Sequence, residues 1–208
     1  MLSTNSILLQ NVFGTLPDWA IKEYIRLGKI KIGNLSKTWE KDIDQVSMDF
    51  HLGKRILIPT MGRHIVIDIR RGVSKEMYEE INLKIGDPIT IRPGQFFIAE
   101  TLESLTLPSD IVGRLEGKSS FARLGIVIHQ TSARFDPGWD GTAALELRNN
   151  SDNDVVIYCG DKICGFSFER LSFPVEHPWQ KNTYRNHGNK TLQSSIHEDN
   201  LSGKVKNK

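Results

Sequence analysis

The clearest structural signal in this chain lies in residues 113–149, which read GRLEGKSSFARLGIVIHQTSARFDPGWDGTAALELRN. The end of the stretch alternates: Ala143, Leu145 and Leu147 fall on one face of an extended chain, and Thr142, Ala144, Glu146 and Arg148 fall on the other. An alternation with a period of two residues is typical of a half-buried β-strand. Glycine-containing turns precede it at 117–125 and 136–141, so the stretch predicts short strands joined by tight turns.

Segments of the same kind recur on both sides of this stretch. The sequence predicts strands at 55–59, 64–69, 88–92, 95–100, 124–130, 141–148, 154–159 and 163–168, with turn residues between them. Many short strands at near-regular spacing are typical of a β-sandwich or a β-barrel. One helix is predicted over 17–28, with the hydroxyl of Thr15 as its N-cap and Gly28 near its C-terminal end. The expected fold is therefore mainly β with an N-terminal helix.

The period-two pattern stops after Leu171, and this break sets the expected domain boundaries. Pro174 and Pro178 follow it and indicate an exit from the folded body. We expect an N-terminal extension at 1–14, one domain at 15–172, and a C-terminal arm and tail at 173–208 that is partly mobile.

Composition and charge exclude several classes of protein. The 208 residues include 27 Lys+Arg and 25 Asp+Glu, for a net charge of +2. Residues 173–208 carry a net charge of +3, so the body is near neutral, which disfavours a nucleic-acid-binding protein. No apolar run approaches the roughly 18 residues of a membrane helix, and the first 20 residues lack the basic residues of a targeting signal. We expect a cytoplasmic protein with no membrane or nucleic-acid partner.

Standard catalytic motifs do not fit the glycine-rich turn. Gly117-Lys-Ser119 resembles the end of a phosphate-binding P-loop, but Val112 occupies the position where that motif requires a glycine. A nucleophile elbow is excluded because Phe121 stands where its last glycine belongs.

The two cysteines are not predicted to bind zinc. Four residues separate Cys159 from Cys164, rather than the two of the zinc deaminase signature, and no His-x-Glu accompanies them. Because they flank Gly160-Asp161, we expect a hairpin with both thiols facing the core, reduced in the cytosol.

The turn after Gly117 concentrates hydrogen-bond donors. Lys118, Ser119, Ser120 and Arg123 offer hydroxyls, a guanidinium and a lysine cation, which together are able to bind phosphate oxygens. An ordinary capped turn explains the same residues, so this feature alone leaves both interpretations open.

Glu146 is the candidate general base. It lies on the polar face of the predicted strand between small or apolar neighbours, where partial burial would raise its pKa. The alternative is a surface salt bridge with Arg148. Asp136-Pro-Gly-Trp139 places another acid at a turn, and turn propensity explains this motif as well.

Taken together, these motifs resemble the dCTP deaminases of the dUTPase-like superfamily. The resemblance rests on Gly117–Gly125, on Asp136-Pro-Gly-Trp-Asp-Gly141 and on Leu145-Glu146. Flanking segments at 47–53, 101–108, 160–163 and 167–169 match too, and the resemblance covers about 15–187. It implies a distorted β-barrel or jelly roll that forms a homotrimer, with active sites between subunits.

The resemblance also implies the chemistry. It predicts hydrolytic deamination of dCTP, or a related deoxycytidine nucleotide, to dUTP and ammonia in pyrimidine deoxynucleotide metabolism. No zinc takes part, and Mg²⁺ accompanies the triphosphate. Glu146 matches the catalytic glutamate, which takes a proton from the water that attacks C4 and returns it to the leaving amine. Ser119 and Arg123 match catalytic residues that hold this water and contact the nucleotide.

The remaining matches concern substrate binding. Lys118, Ser119 and Ser120 match the phosphate-binding turn of the family. Asp136 matches the acid that contacts the 3′-hydroxyl of the deoxyribose. Thr131 and Ser132 match positions near the base. Positions that complete the nucleotide pocket are Phe121, Ala122, Ala144, Leu145 and Trp179. No metal-ligating residue is implied.

Some positions depart from the family pattern. Lys118 replaces an arginine, so a compact ammonium group stands in place of a planar guanidinium that can form two parallel hydrogen bonds. Ser132 replaces an alanine, Trp179 a tyrosine and Thr183 a lysine. The alternatives are therefore a dUTP diphosphatase, a bifunctional enzyme that carries dCTP through to dUMP, and a catalytically silent nucleotide-binding protein. The tail lacks the glycine-rich arm of the diphosphatases, and Glu146 is a deaminase feature.

Overall fold

The computed structural model describes residues 12–60, 66–70 and 75–179. Within these ranges the strands are β1 (Gly14–Thr15), β2 (Lys31–Gly33), β3 (Ser47–Pro59), β4 (Tyr78–Asn82), β5 (Pro88–Ile91), β6 (Phe96–Thr106), β7 (Ile111–Gly117), β8 (Ile126–Val127), β9 (Arg134–Phe135), β10 (Asp140–Asn149), β11 (Val155–Tyr158) and β12 (Lys162–Arg170). The helices are α1 (Asp18–Arg26) and α2 (Ser119–Ala122), with 3-10 turns at Trp39–Asp42 and Lys75–Met77. None of these helices is long and apolar enough to cross a membrane.

One antiparallel sheet forms most of the molecule and curls into a half-barrel. Its main path runs β8-β10-β6-β3-β12-β7-β9, and β5 pairs with β11 in a separate two-stranded sheet. The inner faces of the long strands bury Phe50, Phe97, Leu145, Phe166 and Phe168, each 0% exposed. This packing confirms the mainly β fold with an N-terminal helix.

The C-terminal end of helix α1 agrees with the prediction, and its N-terminal end does not. Gly28, just past its C-terminus, has φ of +67°, as expected of a glycine at that position. The predicted N-cap is wrong: Pro17 precedes the helix and makes no side-chain capping bond. Thr15 lies instead in β1, where it pairs with Glu169 of β12, so its backbone is engaged in the sheet.

Most predicted strands are present, but two are corrected. The segment 124–130 is a strand only at Ile126–Val127, because the turn after α2 occupies 124–125 and the pairing with β10 ends at Val127. Of the segment 64–69, residues 66–69 are not a strand, and Val66, Ile67 and Ile69 are exposed. Residues 64–65, the N-terminal residues 1–11 and the tail from 180 onward, including Thr183, lie outside the described residues.

The cysteine prediction is confirmed in part. Cys159 and Cys164 are both buried. They do not flank a hairpin, since β11 pairs with β5 whereas β12 pairs with β3 and β7. Local turn residues alone do not reveal which distant strand each segment joins.

Candidate active site

The donor-rich turn follows the end of β7. Lys118 has an extended backbone and precedes the short helix α2. The backbone N–H groups of Phe121 and Ala122 donate hydrogen bonds to its carbonyl oxygen. Ser119, Ser120 and Arg123 are exposed, and their side chains have no hydrogen-bond partner within the described residues. This leaves two hydroxyls and one guanidinium free to bind an anion.

Lys118 does not join this cluster in the structure. Its Nζ donates to Asp49 Oδ1 at 2.5 Å, across the sheet on β3. Asp49 is itself buried, with 7% of its surface exposed. The lysine predicted to bind phosphate is therefore held by a carboxylate in this state.

Glu146 lies half-buried on β10, as the alternation predicts. Burial raises the pKa of its carboxyl, which confirms the predicted direction. The backbone N–H of Gln130 donates to Glu146 Oε2 at 3.3 Å, and the Gln130 side chain donates to the Glu146 carbonyl at 3.4 Å. The predicted alternative, a bridge to Arg148, is not observed, because Arg148 Nε donates to Asn150 at 3.1 Å.

The sequence interpretation missed Gln130, which is hydrogen-bonded to Glu146, and His129, which lowers the pKa of the Glu146 carboxyl electrostatically. His129 acts electrostatically on the Glu146 carboxyl, and its Nδ1 is buried without a hydrogen-bond partner in the described part of the chain. The antiparallel register of β8 with β10 pairs Val127 with Arg148. Extending that register by two residues brings 129 opposite 146, and this is the signal that would have identified them.

Asp136 lies at the start of a tight turn. The Trp139 N–H donates to the Asp136 carbonyl at 3.0 Å, and Gly138 has φ of +89°, which together describe a type II turn. The Asp136 carboxylate accepts a 2.7 Å hydrogen bond from Arg134 Nε. Asp136 is thus oriented by its neighbour but remains partly exposed.

Trp179 packs on the same turn. Its ring lies 4.9 Å from the Trp139 ring, centroid to centroid, and the backbone N–H of Trp179 donates to the Pro137 carbonyl at 2.7 Å. The structure therefore brings two predicted site residues, Asp136 and Trp179, onto one turn although they are far apart in sequence.

The remaining predicted site residues differ in how far they are exposed to solvent. Thr131 and Ser132 are exposed on the segment between β8 and β9, and Ala122 is exposed on α2. Phe121 packs against the core and anchors α2. Leu145 is 0% exposed, so its side chain faces the core, whereas Ala144 beside it is half-buried.

The donor cluster and the candidate base make no direct polar contact in the described part of the chain. Among the described residues, no hydrogen bond or ion pair joins Glu146 to Ser119 or Arg123. A pocket of about 310 Å³ lies between α2 and the segment leading to Gln130, and both Lys118 and His129 line it. The described residues contain no group of three or more side chains suited to hold a metal ion.

Comparisons with known proteins converge on one family. The dCTP deaminase-like family model matches residues 15–171. The dUMP-forming dCTP deaminase of Dictyoglomus thermophilum is 38% identical over 166 residues, covering 80% of this chain and 85% of that protein. The dCTP deaminase of Thermomicrobium roseum is 40% identical over 159 residues, covering 74% of this chain and 81% of that protein.

A solved structure supports the fold. The 2′-deoxycytidine 5′-triphosphate deaminase from Agrobacterium tumefaciens superposes with a TM-score of 0.58 at 20% identity. The match covers 76% of this chain and 49% of that chain, so this chain spans about half of that protein's length. The match confirms the predicted mainly β fold.

Proposed function

This chain belongs to the dCTP deaminase-like family, and from that premise we propose that it hydrolyses the exocyclic amine of dCTP, or a related deoxycytidine nucleotide, and releases ammonia. The observation that carries the proposal is Glu146, a half-buried carboxyl with a raised pKa, held by the Gln130 N–H at 3.3 Å. A carboxyl whose pKa lies nearer neutrality both accepts and returns a proton efficiently.

In the proposed mechanism Glu146 removes a proton from a water that attacks C4 of the base. The same carboxyl then donates that proton to the departing amine, so no net proton is gained by the enzyme. The Gln130 N–H keeps one carboxylate oxygen in place and leaves the other for the water. Ser119 and Arg123 hold the water and the nucleotide through their exposed hydroxyl and guanidinium.

A homotrimer completes the proposed site. Among the described residues no hydrogen bond or ion pair joins Ser119 or Arg123 to Glu146, and we propose that a neighbouring subunit supplies one half of each centre. Asp136 binds the sugar hydroxyl, and Trp179 closes that side of the pocket by packing on Trp139.

The triphosphate is proposed to bring Mg²⁺ with it, and Ser119, Ser120 and Arg123 bind its oxygens directly. Zinc is not proposed to take part, and the activation of water is assigned to Glu146. We further propose a cytoplasmic enzyme that supplies dUTP to pyrimidine deoxynucleotide metabolism.

A second candidate is bifunctional conversion of dCTP to dUMP. Several of the relatives found are named as dUMP-forming, among them those from Dictyoglomus thermophilum and Dictyoglomus turgidum, at 38% and 36% identity. Asp136 is a carboxylate available for this second hydrolysis, although here it is bound to Arg134.

One assay separates these functions. The protein is incubated with dCTP and Mg²⁺ while ammonia and pyrophosphate are measured independently. Ammonia alone supports the deaminase, equal release of both products supports the bifunctional enzyme, and nucleotide binding without either product identifies a silent binder.

Glu146→Gln tests the proposed base. It keeps the shape of the side chain but removes the proton acceptor, so we expect deamination to fall by about 10²–10⁴-fold with dCTP binding retained. Glu79→Gln, an exposed glutamate of β4, is the matched control. A wild-type rate in Glu146→Gln would refute the assignment.

A further inference from the structure

Two lysines share one buried carboxylate beside the donor-rich turn. Lys118 Nζ contacts Asp49 Oδ1 at 2.5 Å, and Lys162 Nζ contacts Asp49 Oδ2 at 3.1 Å. Lys162 also contacts Asp42 Oδ1 at 2.8 Å, in the turn that covers this part of the sheet. Asp49 therefore holds a cation on each of its oxygens.

The strand register explains how Lys118 reaches Asp49. Gly165 of β12 pairs with Asp49 of β3 on one side and with Glu116 of β7 on the other. Lys118 follows Glu116 by two residues, and its side chain extends past β12 to reach Asp49 on β3.

The two lysines differ in how they are anchored. Lys118 belongs to the same turn as Ser119 and Ser120, whereas Lys162 is anchored by Asp42 and Asp49 together. If Lys118 turned toward phosphate with no replacement, the buried Asp49 carboxylate would be left without a counter-ion, which is strongly unfavourable. With Lys162 in place, Asp49 remains paired after Lys118 has left.

We propose that Lys162 is a positioning residue for triphosphate binding: it keeps Asp49 neutralised while Lys118 transfers from Asp49 to the phosphate oxygens. The inference rests on the proposed function, because the donor-rich turn is taken as the phosphate site. Asp49 competes with the ligand for Lys118, and Lys162 weakens that competition. His51 does not substitute for Lys162, since its ring is bonded to Glu103 at 2.6 Å.

The proposed transfer of Lys118 from Asp49 to phosphate predicts that removing Asp49 restores the triphosphate affinity lost in a Lys162 variant. In Lys162→Gln, Asp49 has only Lys118, so we expect the affinity for triphosphate to fall about tenfold, the equivalent of one charge-assisted hydrogen bond. In Asp49→Asn/Lys162→Gln the competing charge is gone, and affinity should return to within about threefold of wild type. Damage to structure alone would make the double variant worse than either single one.

The measurement is calorimetric binding of inorganic tripolyphosphate, together with dCTP kinetics. A change in KM with an unchanged kcat is expected, because the exchange concerns binding and not the proton transfer. Arg114→Gln is the matched control: Arg114 pairs with Glu169 at 3.0 Å with 44% of its side chain exposed, against 40% for Lys162. It should leave both quantities unchanged.

Lys162→Arg keeps the charge and should bind tripolyphosphate like wild type, which tests the inference even if Asp49→Asn fails to fold. Unchanged affinity in Lys162→Gln, equal losses in the Gln and Arg variants, no recovery in a folded double variant, or no tripolyphosphate binding by wild type would each overturn it. Tripolyphosphate binding with the expected pattern but no ammonia from dCTP would instead refute the proposed function and leave the lysine exchange standing.

Discussion

Gly138 offers a test of how the C-terminal segment is held on the candidate site. Its φ of +89° belongs to the turn that carries Asp136. An alanine Cβ at this position would lie 2.7 Å from the Trp179 carbonyl oxygen, and 3.0 Å from both the Trp179 nitrogen and Pro178 Cβ. Two of these atoms are backbone, so Gly138→Ala forces residues 178–179 to move away.

The expected cost has two parts. An alanine in the left-handed region costs about 1–2 kcal/mol. Displacing the segment also removes the packing of Trp139 on Trp179, about 0.5–1.5 kcal/mol, and the hydrogen bond from Trp179 to Pro137, about 0.5–1.5 kcal/mol. The free energy of unfolding should therefore fall by about 2–5 kcal/mol in Gly138→Ala.

Gly94→Ala supplies the control, since Gly94 has φ of +71° and a Cβ there would meet nothing within 4 Å. It should cost only the backbone strain, about 1–2 kcal/mol. Urea unfolding measures both variants, and near-ultraviolet circular dichroism reports the paired tryptophans. Equal losses in the two variants, with an unchanged tryptophan signal in Gly138→Ala, would refute the docking of this segment.

Three other expectations concern titration and burial. Burial raises the pKa of Glu146, so its contribution to the free energy of unfolding is full below the unfolded pKa and is lost as pH rises through the folded pKa. Urea unfolding across this pH range should show no such loss in Glu146→Gln. The hydrogen bond to Glu103 raises the pKa of His51, so the stability that protonated His51 contributes is full below the unfolded histidine pKa and is lost as pH rises through its folded pKa. In His51→Gln the free energy of unfolding should not show this fall with pH. Cys159 and Cys164 are 1% and 0% exposed, so a thiol reagent should label them only after unfolding, and rapid labelling of folded protein would contradict their burial.

Local pattern was sufficient for several parts of this molecule. The alternation of 142–148 correctly placed Ala143, Leu145 and Leu147 in the core and Glu146 on the other face. The raised pKa of Glu146 followed from that placement. These features depend on residues that are neighbours along the chain, and so a linear pattern contains them.

Other features depend on contacts between distant residues. The direction of Lys118 is determined by Asp49, 69 positions away in the chain. Thr15 resembles a helix cap, yet it pairs with β12 at the other end of the domain. The contact of Gln130 with Glu146 requires the β8–β10 register, and that of Trp179 with Trp139 requires the path of the C-terminal segment. Residue types and motif spacing predicted which chemical groups belong to the candidate site. Their partners were determined by strand pairing, because the charge or hydrogen-bond donor that satisfies each group lies on a strand or segment that folding alone brings near.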